Sequence, residues 1–269
     1  MLFRKAVVAG QFYPGAKEEL DKELKTLIPV RAKKEAIACM LPHAGYMYSG
    51  RVAGETVAQT VIKDRAIILG PNHTGYGKPF SIMTRGFWET PLGPVEIDEP
   101  LACGLLKNSK YLQDDRLAHE EEHSIEVELP FLQYFRNNLR IVPVAFMSAD
   151  LKALKAAGEE IGVYLSCAGI KEDVLIVASS DMTHYEPLKD AERKDMKAIN
   201  AILALDADGL MDSVRKMEIS MCGFAPVIAM ISAAKVLGAK KGRLVKYMTS
   251  GETTRDFQSV VGYAGIIIN

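Results

Sequence analysis

The sequence predicts an α/β fold with a mixed, mainly parallel central sheet covered by helices on both faces. Short apolar runs of β type alternate with amphipathic helical stretches along all 269 residues. The runs at 66–69 and 174–178 are apolar throughout, which is typical of parallel strands buried on both faces. No low-complexity linker or internal repeat divides the chain, so we expect a single domain over residues 1–269.

The predicted elements follow one another at short intervals. Leu20, Leu24 and Ile28 recur at helical spacing and predict the first helix. The predicted helices cover residues 17–28, 51–62, 122–135, 151–165, 187–205 and 223–237, and Pro130 bends or restarts the third. The predicted strands cover residues 36–41, 66–70, 80–84, 141–147, 174–178, 244–249 and 259–268.

Composition excludes several classes of function. The 33 Lys and Arg residues balance 34 Asp and Glu residues, so the chain lacks the basic excess of a protein that grips nucleic acid through its phosphates. No stretch approaches the roughly 18 consecutive apolar residues of a membrane-spanning helix. The four cysteines are widely spaced, without a CxxC pair, which favours a reduced, cytoplasmic protein. We expect Cys39, Cys103 and Cys167 to behave as small hydrophobic residues.

Three predicted strands run directly into turns that carry histidine. The strand at 36–41 is followed by His43, the strand at 66–70 by His73, and the strand at 174–178 by Asp181 and His184. In open α/β sheets, ligands bind beyond the carboxyl ends of the strands. If the three strands are neighbours, these four side chains converge on one edge of the sheet.

Such a set of side chains is typical of a site for a divalent metal. Imidazole nitrogen binds zinc, iron and copper, and two histidines with one carboxylate suit non-haem Fe(II). Cys222 stands directly before the helix predicted at 223–237, where the helix N-terminus lowers the pKa of a thiol and favours a thiolate ligand or nucleophile. A buried, inert thiol is an equally good interpretation of Cys222, and a histidine that only hydrogen-bonds within its turn is the alternative for His184.

A second histidine pattern, His119-Glu-Glu-Glu-His123, matches the H-E-x-x-H motif of zinc proteases. In that motif Glu120 would serve as the base of a soluble zinc hydrolase. The pattern arises easily in a segment this rich in glutamate, and the H-x-x-G-x-x-H extension is missing. A solvated acidic helix start is therefore the preferred interpretation, with only His123 well placed to point inward.

Distinctive motifs occur along nearly the whole chain. They are VAGQFYP at 8–14, PHAGY at 42–46 with Ser49-Gly50, GPNH at 70–73, EEHS at 121–124 with Glu126, LPF at 129–131, SSDMTHY at 179–185, Cys222-Gly223, TSGE at 249–252 and VVGYA at 260–264. As a set, and in this order, they resemble the MEMO family (mediator of ErbB2-driven cell motility).

The resemblance implies a fold similar to class III extradiol dioxygenases, which are non-haem Fe(II) enzymes that cleave catechol rings. It implies metal ligands at His43, His73 and Cys222. It also places Asp181 and His184 among the family's further site residues, and His123 in a family motif, as candidate catalytic groups. Those dioxygenases have glutamate where this chain has cysteine, and a soft thiolate favours copper, zinc or a different iron chemistry over ring cleavage.

The residues and the resemblance lead to two hypotheses of function, which belong to different classes. Family members are reported as metal-dependent redox proteins and as binding modules for phosphorylated receptor tails, and prokaryotic members often accompany a radical-SAM protein. The first hypothesis is an iron- or copper-dependent oxidoreductase, with zinc as a third choice of metal, acting on an unknown small-molecule or peptide ligand. The second is a non-catalytic adaptor that binds a peptide or protein in the same cleft, with Arg51 or Arg85 available for an anion.

Overall fold

The centre of the molecule is one large sheet with a parallel middle and antiparallel margins. The computed structural model describes residues 2–269, and within them twelve strands join in this sheet. They are β1 (Phe3–Arg4), β2 (Ala38–Leu41), β3 (Arg65–Pro71), β4 (Phe80–Ile82), β5 (Phe87–Trp88), β6 (Val95–Ile97), β7 (Gln113–Asp114), β8 (Arg140–Phe146), β9 (Val174–Ser179), β10 (His184–Glu186), β11 (Gly242–Thr249) and β12 (Val260–Ile268).

The longest path through the sheet runs β1-β5-β6-β8-β3-β9-β2-β12-β10. The strands from β6 to β2 in this order are parallel to one another, whereas β12 runs antiparallel to β2, β10 and β11. The mixed, mainly parallel sheet is confirmed. Ten helices surround it within the described residues: α1 (Lys17–Leu27), α2 (Tyr46–Ala58), α3 (Glu99–Asn108), α4 (Leu117–Glu120), α5 (Leu129–Gln133), α6 (Leu151–Cys167), α7 (Leu188–Leu203), α8 (Ala207–Lys216), α9 (Phe224–Val236) and α10 (Gly251–Thr254).

Helices cover both faces of the central strands. Every residue of β2 and of β9 is buried, whichever face its side chain points to. Helix α9 packs against β3 and β9 and is itself covered by α6, while α2 packs on β11 and β12. A methyl group on Gly158 of α6 would lie 2.1 Å from the carbonyl oxygen of Ala229, so α6 and α9 approach too closely for any larger residue.

The main differences from the predicted elements have local causes. The helix predicted at 122–135 is wrong: a 3-10 turn at Glu126–Glu128 is followed by the short helix α5. Pro130 lies in the first turn of α5, where its missing N–H costs nothing, and it cannot continue a preceding helix. Helices α3 and α8 were not predicted. Cys39 is buried as expected, but Cys103 and Cys167 are exposed, because they lie on the solvent sides of their helices. Among the helices of residues 2–269, none has both the length and the apolar character needed to cross a bilayer.

Candidate metal centre

The three strands that lead into histidine turns are neighbours in the sheet. Strand β9 lies between β3 and β2 and is parallel to both. The carboxyl ends of the three strands therefore meet at one edge, where His43, His73 and Asp181 follow them directly. The predicted convergence of these residues is confirmed, because the residues that the three turns carry line one cavity.

That cavity has a volume of about 570 Å³. Four histidines and one carboxylate line it, namely His43, His73, His123, His184 and Asp181, and aromatic side chains such as Phe12, Tyr48 and Tyr263 form much of the remaining wall. Neither Arg51 nor Arg85, proposed above as anion-binding groups, lines it. A similar groove of about 650 Å³ beside α6 and α8 is lined by neither histidine nor cysteine, and its Lys155 and Asp208 pair with each other at 2.6 Å.

Three imidazole rings pack against one another inside the cavity. The ring centroid of His43 lies 5.2 Å from that of His73 and 5.6 Å from that of His123, and the His73 and His123 centroids lie 4.8 Å apart. The fourth histidine, His184, is bound to Ser220: its Nδ1 lies 2.9 Å from the carbonyl oxygen of Ser220, and its backbone N–H donates to Ser220 Oγ at 2.7 Å.

Cys222 reaches the same point from a distant part of the chain. Its Sγ lies 3.3 Å from His43 Nε2, and the ligand atoms of His43, His73 and Cys222 all lie within 4.8 Å of one another. Cys222 can come this close because the residue after it is Gly223. A methyl group on Gly223 would lie 2.3 Å from the carbonyl oxygen of Ser179 at the end of β9. The structure therefore brings together the two histidines and the cysteine that the sequence singled out.

Hydrogen bonds orient the two histidines. Nδ1 of His73 lies 2.9 Å from Glu122 Oε1, and Nδ1 of His43 lies 2.7 Å from Ser179 Oγ. A histidine whose Nδ1–H is bound in this way presents the lone pair of Nε2 to a metal. A tetrahedral ion with ordinary metal–nitrogen and metal–sulfur bonds holds such ligand atoms about 3.6 Å apart. The donor set, its spacing and the orientation of its rings therefore fit a transition-metal ion.

Burial and neighbouring charges set the protonation states of the side chains at this point. Burial lowers the pKa of His43 well below its usual value, and the positive charge of His73 lowers it further, so this imidazole is neutral. For His73, burial also lowers the pKa, but the hydrogen bond to Glu122 and its negative charge outweigh burial and raise it. The pKa of Glu122, which burial alone would raise, falls to about 2 because His73 and Ser124 donate hydrogen bonds to its carboxylate.

The expected low pKa of Cys222 is wrong for the metal-free protein. Burial raises the pKa of this thiol, and the nearby negative charge of Asp181 adds to the effect. The helix begins only at Phe224, and the backbone N–H of Asp181, 3.3 Å from the sulfur, offsets the rise only partly. Asp181 is itself unusual: burial raises its pKa to about 7, although the N–H groups of His43 and Ala44 oppose the rise.

Known proteins are similar to this chain along nearly its whole length. The family model described as "Memo-like protein" matches residues 4–267. The chain belongs to the Memo family. It is 43% identical over 270 residues to a MEMO1 family protein of Aquifex aeolicus, covering 99% of each chain, and 42% identical over 279 residues to one of Methanopyrus kandleri, covering 98% of each. Similarity at this level, over essentially the full length, confirms the resemblance that the motifs indicated.

A solved structure shares the fold at low sequence identity. The crystal structure of an uncharacterized protein of Escherichia coli K12 superposes with a TM-score of 0.53 at 15% identity, covering 86% of this chain and 98% of that one. At this identity the likeness concerns the fold alone. The fold of that structure agrees with the mixed α/β sheet described above.

The H-E-x-x-H pattern does not form a protease site. Helix α4 ends at Glu120, so His119 and His123 do not share a helix face. His119 is buried against Trp88, with ring centroids 5.9 Å apart, whereas His123 lines the cavity. Glu120 pairs with Arg116 at 3.0 Å on the surface. Of this motif, only His123 lines the cavity.

Sequence analysis missed three residues that support the site. Glu122 binds His73, Ser179 binds His43, and Glu128 binds Ser179 at 2.9 Å. Glu122 lies in a run of three glutamates, and no pattern in the sequence shows which of them points inward. Glu128 lies in the alternating stretch IEVEL at 125–129, and this alternation does not show whether its glutamates are buried.

Proposed function

We propose that the chain is an oxidoreductase that depends on one iron or copper ion, bound by His43, His73 and Cys222. The substrate is a small molecule or peptide that enters the adjoining cavity. The observation that carries the proposal is the convergence of two oriented imidazoles and one sulfur, with all three ligand atoms within 4.8 Å. When bound, such an ion would supply electron transfer beside the cavity, and a soft thiolate among its ligands would suit copper or iron, with zinc as the non-redox alternative.

The remaining polar residues of the cavity can move protons beside that ion. Burial lowers the pKa of His123 and of His184, so each offers a neutral imidazole that can accept a proton. Asp181, with a pKa near 7, can give or take one at neutral pH. We therefore assign general acid–base roles to these three residues.

A metal titration under anaerobic conditions tests the site. The wild-type protein should bind one Fe(II) or Cu(I) ion per chain, whereas His43→Ala and Cys222→Ser should lose that ion. With Cu(II), the wild type should also show the visible absorption of a copper–thiolate bond, which Cys222→Ser should abolish. His119→Phe is the matched control, because His119 is a buried histidine outside the cavity. Unchanged stoichiometry in both ligand variants would rule out the proposed centre.

The second candidate function is the adaptor. Met47 and Tyr185 line the mouth of the cavity and are 65% and 75% exposed, as expected of a surface that binds a peptide. An adaptor of this kind needs no ion. A peptide that binds equally well with and without a chelator, and that loses affinity in Tyr185→Ala, would favour the adaptor over the oxidoreductase.

The remaining expectations about the cellular setting stay predictions. They are a cytoplasmic location, a radical-SAM protein as partner, and the absence of nucleic-acid and membrane partners. The balanced charge of the chain and its four free cysteines support the first and the last of these. Co-purification of the tagged chain from its source cells, followed by identification of bound proteins, tests the partner.

A further inference from the structure

A buried carboxyl group lies behind the candidate metal centre. Glu128 is fully buried, its Oε1 lies 2.9 Å from Ser179 Oγ, and its Oε2 has no hydrogen-bond partner within residues 2–269. Glu126, two residues earlier, is just as buried, but it pairs with the guanidinium of Arg4 and accepts hydrogen bonds from Tyr13 and from backbone N–H groups. Glu128 therefore lacks the donors that normally stabilise a buried carboxylate.

Ser179 connects this carboxyl group to a metal ligand. Its Oγ has three polar neighbours: Nδ1 of His43 at 2.7 Å, the carbonyl oxygen of Ser124 at 2.8 Å and Oε1 of Glu128 at 2.9 Å. All the groups involved are buried, so water does not compete for these contacts. A hydroxyl can donate one hydrogen bond and accept two.

A count of hydrogens decides how the three contacts are made. The Ser124 carbonyl can only accept, so it takes the single hydrogen of Ser179. The other two neighbours must then donate to Ser179, which requires hydrogens on His43 Nδ1 and on Glu128 Oε1. If Glu128 were ionised, either its carboxylate or the Ser124 carbonyl would face a lone pair of Ser179 at less than 3 Å. Only the protonated acid satisfies all three contacts.

We propose that Ser179 is the positioning residue of His43, and that Glu128 is a permanently neutral carboxylic acid that completes the hydrogen bonding of Ser179. The arrangement holds His43 as the Nδ1–H tautomer, with the lone pair of Nε2 directed at the sulfur of Cys222, 3.3 Å away. The role of this arrangement in metal binding rests on the proposed function, but the tautomer of His43 can be measured in the metal-free chain.

The electrostatic environment agrees with a neutral acid. Burial raises the pKa of Glu128 well above its usual value, and the negative charge of Asp181 adds to the rise. A hydrogen bond donated by Ser179 to the carboxylate would oppose the rise, but the hydroxyl hydrogen of Ser179 is taken by the Ser124 carbonyl oxygen. A neutral Glu128 adds no second anion behind His43, so the cysteine remains the source of negative charge among the proposed ligands.

Two spectroscopic measurements on the metal-free protein test the inference. In ¹⁵N NMR spectra, the wild type should show His43 as a single Nδ1–H tautomer, and Ser179→Ala should show a mixture of both tautomers. In the infrared spectrum, the wild type should show the carbonyl stretch of a protonated carboxylic acid, which Glu128→Gln removes. Because the amide introduced by Glu128→Gln is neutral and can still donate to Ser179, His43 should keep its tautomer in that variant.

Ser232→Ala is the matched control for the serine. Ser232 is also buried, but its hydroxyl donates to the carbonyl oxygen of Ile228 within α9, away from His43. A wild-type spectrum without the acid band, or a single unchanged tautomer in folded Ser179→Ala, would overturn the proposal. Should Ser179→Ala fail to fold, the infrared and NMR comparison of the wild type with Glu128→Gln still decides the matter.

A metal-binding arm separates this inference from the proposed function. Loss of a positioning partner typically costs 10- to 100-fold in metal affinity, so Ser179→Ala should bind Cu(I) about that much more weakly. Glu128→Gln should bind it as tightly as the wild type. A tenfold loss in Glu128→Gln would show that Glu128 acts as an anion, and so would contradict the inference. Failure of the wild type to bind metal would instead count against the proposed function alone.

Discussion

At the scale of single residues, three glutamates within seven positions show how partners decide the use of a buried carboxyl group. Glu122 faces His73, Glu126 faces Arg4, and Glu128 faces only a serine. The first orients His73, a proposed metal ligand, as an anion, the second pairs with a buried cation, and the third is proposed to be a neutral acid. Burial is the same in all three, so the differences come from the donors around them.

Replacement of Glu122 tests the orientation of His73. In Glu122→Gln, the imidazolium of His73 loses a hydrogen bond to a charged acceptor, so we expect the pKa of His73 to fall below its wild-type value. The affinity for Cu(I) should fall by about 10- to 100-fold, because the Nδ1–H no longer has an anionic partner. An NMR titration of the histidine ring protons in the metal-free protein measures the first effect.

The neighbouring Glu121→Gln is the control, since Glu121 is exposed and the same charge is removed one residue away. A His73 pKa that falls equally in both variants would mean that general electrostatics, not the hydrogen bond, raises it.

At the scale of elements, the irregular segment between α4 and α5 contributes residues to the candidate site, as the turns after the strands do. It carries Glu122 and His123, yet it lacks the repeated hydrogen bonds of a long helix. Arg4 of β1 fixes it instead: its guanidinium pairs with Glu126, donates to the carbonyl oxygens of His119 and Glu122, and lies 4.3 Å from the centroid of Trp88. The N-terminal strand therefore holds the segment that orients His73.

Replacement of Arg4 should be costly for this reason. Arg4→Met leaves Glu126 buried without its cation, and we expect the free energy of unfolding to fall by about 3–5 kcal/mol. Arg31→Met breaks an ion pair with Glu55 in which the arginine side chain is 47% exposed, and it should cost less than about 1 kcal/mol. Denaturant unfolding of both variants gives the comparison. Equal losses in the two would mean that the Arg4–Glu126 pair has no special role in the fold.

At the scale of the whole molecule, sequence pattern predicted the sheet and its functional edge because both depend on short-range signals. The apolar runs of β3 and β9 mark buried parallel strands, and the turns after them show where histidines emerge. Parallel order alone then places His43 and His73 at one edge, without knowledge of any side-chain contact.

The other parts of the candidate site depend on long-range contacts that no local sequence pattern encodes. Cys222 meets His43 across 179 positions of sequence, and from its surroundings an inert thiol was an equally good interpretation. The family resemblance, rather than residue spacing, selected it as a ligand. The buried partners Glu122 and Glu128 depend in the same way on the path of an irregular segment. Pro130 showed that a long helix there was in doubt, but it could not show which side chains point inward.

The acid stability of the whole protein depends in part on His119, the buried histidine that the site does not use. Burial, together with the charge of Arg4, lowers its pKa from 6.5 to about 4, and neither ring nitrogen has a hydrogen-bond partner of good geometry in the described chain. The unfolded chain therefore binds a proton here more readily than the native one, so this residue's contribution to stability is complete above pH 6.5 and is lost as the pH falls towards 4. The loss amounts to about 3 kcal/mol.

The variant His119→Phe tests this, because phenylalanine cannot titrate. Its free energy of unfolding, measured with denaturant and chelator, should fall between pH 7 and pH 4 by about 3 kcal/mol less than that of the wild type. Glu120→Gln on the same helix should behave like the wild type, and an identical pH dependence in His119→Phe would show that the native protein tolerates the charged ring.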